Sequence, residues 1–268
     1  MKIVGADLKK VEAFQEEKDK FYLLSAIATA ENPLLISDKE TYIMGRSDIG
    51  FPTWIWSKNN LPIEKVFEIM EALQEYLQDG ENKFTCKKEL YNLLKKEYDT
   101  ENYFEMGYLS CKEAIKPLKR KGIFVRPNYG DKVTLAEYWR DNVKEMYGKQ
   151  IPQKEALEEV ERWFDEKKFF VLKDSRGEIV SMAGYSIIDQ SAKITHVYTP
   201  KNERGKGYCQ YLIYSLSKKL LEEGYTPLLY TDYHYKASNE AYKRVGFQDE
   251  GILINFSINR EKKKEQQK

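Results

Sequence analysis

Apolar residues recur every three to four positions at 135–147 and 154–166, a spacing that predicts two amphipathic helices. Continuous apolar, β-rich runs at 169–173 and 178–188 predict two strands, joined by the hairpin-type turn Asp174-Ser175-Arg176-Gly177. A third strand is predicted at 193–199. After it, Cys209, Leu212, Ile213, Leu216 and Leu220 form one stripe of a helix over 208–223, with Lys218 and Lys219 near its C-terminal end and Gly224 as its stop. A strand at 226–232, a short helix at 239–245 stopped by Gly246, and one or two strands at 247–258 complete the pattern. The order helix, helix, three strands, helix, strand, helix, strand is that of a mixed α/β domain. The first half is less regular. It predicts helices at 14–30, 63–77 and 88–98, and strands at 41–46, 53–56, 83–86 and 103–110.

Between the predicted strand at 193–199 and the helix at 208–223 lies Arg204-Gly205-Lys206-Gly207-Tyr208-Cys209, preceded by the turn Pro200-Lys201-Asn202-Glu203. Two glycines among cations at the head of a helix are suited to holding phosphates. Glycine lets the backbone approach a ligand closely. The first N–H groups of the helix are free to point at an anion, and the helix dipole adds to the attraction. The same four residues, Arg-Gly-Lys-Gly, also occur in plain basic surface turns, and Lys206 can be a solvated charge. The backbone amides matter more here than either cationic side chain.

Composition narrows the partners. Of 268 residues, 41% are apolar and 32% charged, and the formal net charge is +1, which suggests neither a nucleic-acid nor a membrane partner. No run approaches the about 18–20 apolar residues that a membrane span needs, and the N-terminal residues show no apolar core of a secretion signal. Cys86, Cys111 and Cys209 are far apart and odd in number, which argues against a disulfide framework or a zinc site and fits a reducing cytoplasm. His196 and His234 are too few for a histidine-rich metal centre, so no metal is expected. Basic and glycine-containing residues at 119–122, then 126–131, read as a connection between two halves. The residues from Arg260 onward read as a charged flexible tail.

With the glycine loop placed, the second half resembles the GNAT superfamily of acyl-CoA N-acyltransferases, whose phosphate loop runs Gln/Arg-x-x-Gly-x-Gly/Ala. Arg204, Gly207 and Cys209 occupy its defined positions; Cys209 departs from the usual Gly or Ala but is small. The family's second signature is similar to Asn239, Ala241, Tyr242, Gly246 and Phe247. The resemblance runs from about residue 134 to 258, roughly half the chain. It implies an α/β fold of mixed α+β type: a GNAT-like central mixed sheet flanked by helices over 126–259, preceded by a smaller α/β domain over 1–125, with the tail at 260–268. The strand–helix–strand–helix–strand order from 41 to 110 resembles a degenerate second copy of that fold. In it, Ser57-Lys58-Asn59-Asn60-Leu61-Pro62 stands where the glycine loop would be. Such a copy would bind no coenzyme A and would shape the acceptor site.

The resemblance implies an acetyl-CoA-dependent N-acetyltransferase, with acetyl-CoA as co-substrate and a small-molecule or protein amine as acceptor. The pantetheine arm would lie along Val197, Tyr198 and Thr199, and the pyrophosphate on Arg204 and the amides of Gly205, Lys206, Gly207, Tyr208 and Cys209. Asn239 would bind the cofactor or cap its own helix. Tyr242 stands at the position of the general acid that protonates the departing thiolate, although a tyrosine there can also simply pack a helix. The predicted strand at 193–199 carries no acid to serve as base. His196 is the candidate, being on that strand and titrating in the right range. Asp232, His234 or solvent are the others. Cys209 at a helix start could be a nucleophile, but no paired histidine accompanies it, which argues against a covalent mechanism. The aromatic run Phe51-Pro52-Thr53-Trp54-Ile55-Trp56 reads as a buried core strand before a pocket lining. A non-catalytic acyl-CoA-binding sensor is the alternative. Nucleotide hydrolysis is disfavoured by the lack of a Gly-x-x-x-x-Gly-Lys-Ser/Thr loop.

Overall fold

The computed structural model describes residues 5–48, 50–78, 82–118 and 121–259. The charged tail expected from Arg260 lies outside the described residues. The fold is mixed α+β, with strands of a mixed sheet flanked by helices. The chain forms two compact units: Met1–Tyr108 with Tyr230–His234 and Glu250–Lys268, and Leu109–Leu229 with Tyr235–Asp249.

In the second unit, α5 (Lys132–Tyr147) and α6 (Gln153–Glu166) precede β7 (Phe169–Lys173), β8 (Ile179–Ile188) and β9 (Ser191–Tyr198). Then follow α7 (Tyr208–Glu222), β10 (Thr226–Asp232), α8 (Lys236–Lys243) and β11 (Phe247–Asn259), of which β10 belongs to this unit up to Leu229 and β11 up to Asp249. β6 (Ile123–Val125), a short strand that the hydrophobic pattern does not reveal, pairs antiparallel with β7. β7, β8 and β9 form an antiparallel meander, and β9 pairs parallel with β10 through the crossover helix α7. The apolar run of β7 is continuous because both its faces are covered. Phe170 and Leu172 pack with Leu212, Leu216 and Leu220 of α7, whereas Phe169 and Val171 pack with Val160 and Trp163 of α6.

The first unit repeats this order. Two short helices, α1 (Glu12–Gln15) and α2 (Tyr22–Ile27), precede β1 (Leu34–Ser37), β2 (Tyr42–Arg46) and β3 (Thr53–Ser57). α3 (Ile63–Gln78) then crosses to β4 (Lys83–Lys87), followed by α4 (Lys88–Glu97) and β5 (Asp99–Cys111). β1, β2 and β3 are antiparallel, and β3 and β4 are parallel, as β9 and β10 are. The unit takes a strand from the far end of the chain: β11 pairs antiparallel with β4, from Leu253↔Lys87 to Ser257↔Lys83. Both faces are again covered. Met44 and Ile55 pack beneath Ile69, Leu73 and Tyr76 of α3, and Ile43 and Trp56 pack beneath Phe14, Phe21 and Leu24. Trp54 and Trp56 are therefore core residues of a strand, 6% and 0% exposed.

Two local readings change, and one left open is decided. The single helix expected at 14–30 is two helices separated by turns, because Glu17 turns to the Nε1 of Trp56 and the ammonium of Lys87 in the core. α8 begins at Lys236, three residues before Asn239, so Asn239 lies inside the helix and does not cap it. The last strand is one element of 13 residues.

Gly246 ends the segment after α8 with φ of 104°, in the left-handed region. A Cβ there would lie 2.0 Å from the carbonyl oxygen of Glu113, and the neighbouring Val245 carbonyl accepts the N–H of Ile115 at 3.0 Å. The glycine of the Gly-Phe pair is thus demanded by backbone crossing backbone. Gly246→Ala is expected to cost at least about 2 kcal/mol through strain and displacement of the 113–115 segment. A lower urea midpoint at unchanged m would show this.

Candidate functional site

The site is built on the end of β9. Its ladder with β10 has three pairs, Thr226↔Ser191, Pro227↔Ala192 and Leu228↔Lys193, and stops there. On the other side, the pairing with β8 runs Gly184↔Thr195 and then Met182↔Tyr198, so β9 carries one extra residue between them. This is a β-bulge. His196 sits in it with φ of 53°, a left-handed conformation uncommon for a side-chain-bearing residue. Past the bulge, Pro200 ends the strand, and a single 3₁₀ turn, Lys201–Glu203, leads into the glycine loop.

Gly205 and Gly207 both have positive φ, 74° and 84°, and Gly207 is the residue from which α7 starts. Side chains with a Cβ rarely adopt these angles, which is why glycine occupies both positions. The N–H groups of Gly205, Lys206 and Gly207 donate to no protein acceptor among the described residues. Those of Tyr208, Cys209 and Gln210 open α7, where no earlier turn can accept them. The loop is exposed at Gly205 and Lys206 and half-buried from Gly207 onward. A row of unpaired donors at the positive end of a 15-residue helix is suited to an anion.

The side chains divide differently from the backbone. Arg204 folds back: its Nε donates to the Thr199 carbonyl at 2.8 Å, and its Nη2 lies 2.6 Å from a Glu145 carboxylate oxygen. Its guanidinium also covers the Tyr198 ring at 5.7 Å. It braces the loop. Lys206 pairs with Glu203 at 3.0 Å on the surface. Lys121 lies against Gly207, its Cε 3.8 Å from where a Cβ would stand, and has no acidic partner among the described residues. Sequence reasoning placed Lys121 only in a basic connection.

Tyr242 of α8 is 8% exposed, with its ring 6.1 Å from Phe247. Burial raises its phenol well above the usual value, with smaller contributions from Cys209 and Tyr235, so it stays protonated across the physiological range. Its hydroxyl makes no hydrogen bond to protein among the described residues. Burial likewise pushes the Cys209 thiol up to about 11, against the opposing pull of Arg204. A thiol so far from ionisation is a poor nucleophile. Asn239 is half-buried, and its N–H donates to the Tyr235 carbonyl at 3.3 Å.

His196 is placed among aromatic rings. Trp139 lies 4.8 Å, Trp163 5.2 Å and Phe169 6.3 Å from it, and its Nδ1 is 2.8 Å from the Thr195 hydroxyl. Burial, helped by Lys193, lowers its pKa to about 4. An imidazole so weakly basic takes a proton from an ammonium reluctantly at neutral pH. Asp232 and His234 belong to the first unit. There the Asp232 carboxylate accepts the His234 N–H at 2.9 Å, and His234 Nε2 lies 3.3 Å from Glu105. The pattern also overlooked Asn142, whose signal was a polar residue interrupting the apolar stripe of α5 after Trp139. Among the described residues no group of three or more His, Cys, Asp and Glu could hold a metal, and no helix is long and apolar enough to cross a membrane.

Residues 135–247 match the model of the acetyltransferase (GNAT) family. Solved structures share the fold over nearly the whole chain. A GCN5-related N-acetyltransferase from Sphaerobacter thermophilus superposes with a TM-score of 0.66 at 12% identity, covering 96% of this chain and 94% of its own. A GNAT-family acetyltransferase from Colwellia psychrerythraea gives 0.63 at 12% identity, covering 92% and 97%. A GCN5-related N-acetyltransferase from Kribbella flavida gives 0.61 at 10% identity, covering 92% and 96%. A search of curated proteins gives no match.

The His196 environment has a consequence for stability. The folded pKa of about 4 lies below the reference value of 6.5, so the ring's contribution is complete above about pH 6.5. It is lost as pH falls through about 4, and amounts to on the order of 2–3 kcal/mol. Thermal midpoints measured from pH 7 to pH 4 should fall less steeply in His196→Asn, which tolerates the left-handed backbone and does not titrate. An identical decline in both proteins would assign the loss to other groups.

Proposed function

We propose, from the match of residues 135–247 to the model of the acetyltransferase (GNAT) family, that this protein transfers the acetyl group of acetyl-CoA to an amine in a ternary complex. The observation that carries this reading is the pair of left-handed glycines heading α7, directly after a strand whose ladder has ended. The pyrophosphate of the cofactor would sit on the amides from Gly205 to Cys209, with the Lys121 ammonium beside Gly207. The pantetheine arm would lie along Val197, Tyr198 and Thr199 as an added strand, and Asn239 would complete the cofactor contacts. Arg204 contributes by bracing the loop.

In the reaction the amine nitrogen attacks the thioester carbon, and the N–C bond forms as the C–S bond breaks. Backbone N–H groups on the end of β9 stabilise the oxyanion. Tyr242, kept protonated by burial, gives its proton to the departing sulfur. The nitrogen loses its proton to solvent, since His196 is too weak a base for the task. The acceptor is a small-molecule amine or a protein amine, with no nucleic-acid or membrane partner, and the setting is cytoplasmic. The weak basicity of His196 also favours the second reading, a non-catalytic acyl-CoA-binding module. Steady release of free thiol from acetyl-CoA in the presence of primary amines separates the two.

Tyr242→Phe is expected to lower kcat by a factor of about 10²–10⁴ while coenzyme A still binds; unchanged turnover would remove Tyr242 from the mechanism. Gly207→Glu places a charged side chain at a left-handed position facing the anion. Calorimetry should then find no coenzyme A binding in a protein that keeps its thermal midpoint within a few degrees. Normal affinity would defeat the phosphate-loop assignment.

A further inference from the structure

Three successive carbonyls at the end of β9 are each held by a side chain from elsewhere in the second unit. Asn142 Nδ2 donates to the Val197 carbonyl at 3.3 Å, Ser181 Oγ to that of Tyr198 at 3.1 Å, and Arg204 Nε to that of Thr199 at 2.8 Å. Ser181 lies on β8, so the Tyr198 carbonyl faces β8. Successive carbonyls of a strand point to opposite edges, so those of Val197 and Thr199 face the edge where the β10 ladder has stopped. The Thr199 N–H, opposite the Tyr198 carbonyl across their planar peptide, faces that edge too.

Asn142 stands out among the three. It is 3% exposed, and its Oδ1 is buried with no hydrogen-bond partner. A buried orphan acceptor is a cost that an apolar side chain of the same shape would avoid. The same replacement would strip the Val197 carbonyl of its donor, so the two effects oppose and asparagine gains little net stability at this position. One turn earlier on the same helix, Trp139 packs edge-on against His196 at 4.8 Å. Helix α5 thus holds both residues of the bulge, His196 by its ring and Val197 by its carbonyl.

We infer that Asn142 is a positioning residue for acyl transfer, fixing the Val197 peptide so that the bulged end of β9 aims its N–H groups at the thioester carbonyl. The inference rests on the acetyl-CoA reading above. Asn142 touches neither cofactor nor acceptor; it acts through Val197.

The test needs no acceptor amine. Acetyl-CoA carrying ¹³C at the thioester carbonyl is bound to the full chain, and the carbonyl band is read by difference infrared spectroscopy. In the wild type the band should lie below its position in free acetyl-CoA, because N–H donors polarise the carbonyl. Asn142→Leu should keep a thermal midpoint within a few degrees of wild type and bind coenzyme A within about threefold, yet return the band toward the free position. Asn142→Val, apolar and smaller, should do the same and serves if the leucine variant does not fold. A band unmoved by the substitution, or moved only together with a fallen thermal midpoint, overturns the positioning role while leaving cofactor binding intact. A wild type that binds neither coenzyme A nor acetyl-CoA overturns the acetyl-CoA reading, and this inference with it.

Discussion

The end of β9 is the constraint on which the candidate site depends. A strand inside a parallel pair normally spends its edge on its neighbour. Here the ladder ends at Lys193, and the bulge at His196 turns the remaining residues out of register with β8. A strand end freed on one edge and kinked on the other needs support from elsewhere. That support comes from an aromatic cage around His196, from side chains bonded to the carbonyls of Val197, Tyr198 and Thr199, and from Pro200, which prevents the strand from continuing. The glycine loop then begins at a defined place. Its donors are of use only because the strand before it stops there.

The first unit shows what the same topology does without these features. It has the antiparallel meander, the crossover helix and the parallel β3–β4 pair. Its loop after β3 has one left-handed residue, Asn60 with φ of 53°, and no glycine. Lys87, at the end of β4, is 4% exposed, donates to Asn59 Oδ1 at 2.8 Å and pairs with Glu17. Glu17 also accepts the Trp56 indole N–H at 2.8 Å. The donors and acceptors at the end of this parallel pair are committed to one another, as expected of a polar group buried in a core. In the second unit the corresponding loop amides are left open.

Much of the second unit was legible. β7, β8, α7 and β10 follow from apolar runs and turns, because each buries a defined face and the periodicity records it. The glycine loop was legible for a different reason: only glycine tolerates the angles that Gly205 and Gly207 adopt. The first half read less well where tertiary contacts override local pattern. The 14–30 segment has helical spacing, yet Glu17 is drawn to Trp56 and Lys87, and the helix breaks. β1 and β6 are four and three residues long, too short for a period to show. Asn239 looked like a helix start because a short polar helix has few apolar positions to mark its ends.

The sequence by itself determined the order of the longer elements of the second unit, the glycine loop at the head of α7 and the downstream tyrosine and Gly-Phe signature that accompany it. These are local properties, carried by backbone angles and side-chain periodicity. Tertiary structure alone decided the protonation behaviour of the site. His196 looked like a titrating base and lies in an aromatic cage that holds it neutral. Cys209, already disfavoured as a nucleophile for want of a paired histidine, has its thiol raised further from ionisation by burial. Arg204 looked like a phosphate ligand and braces the strand. Solvent exclusion and neighbouring charges set each of these outcomes, and the neighbours come from segments far away in the chain.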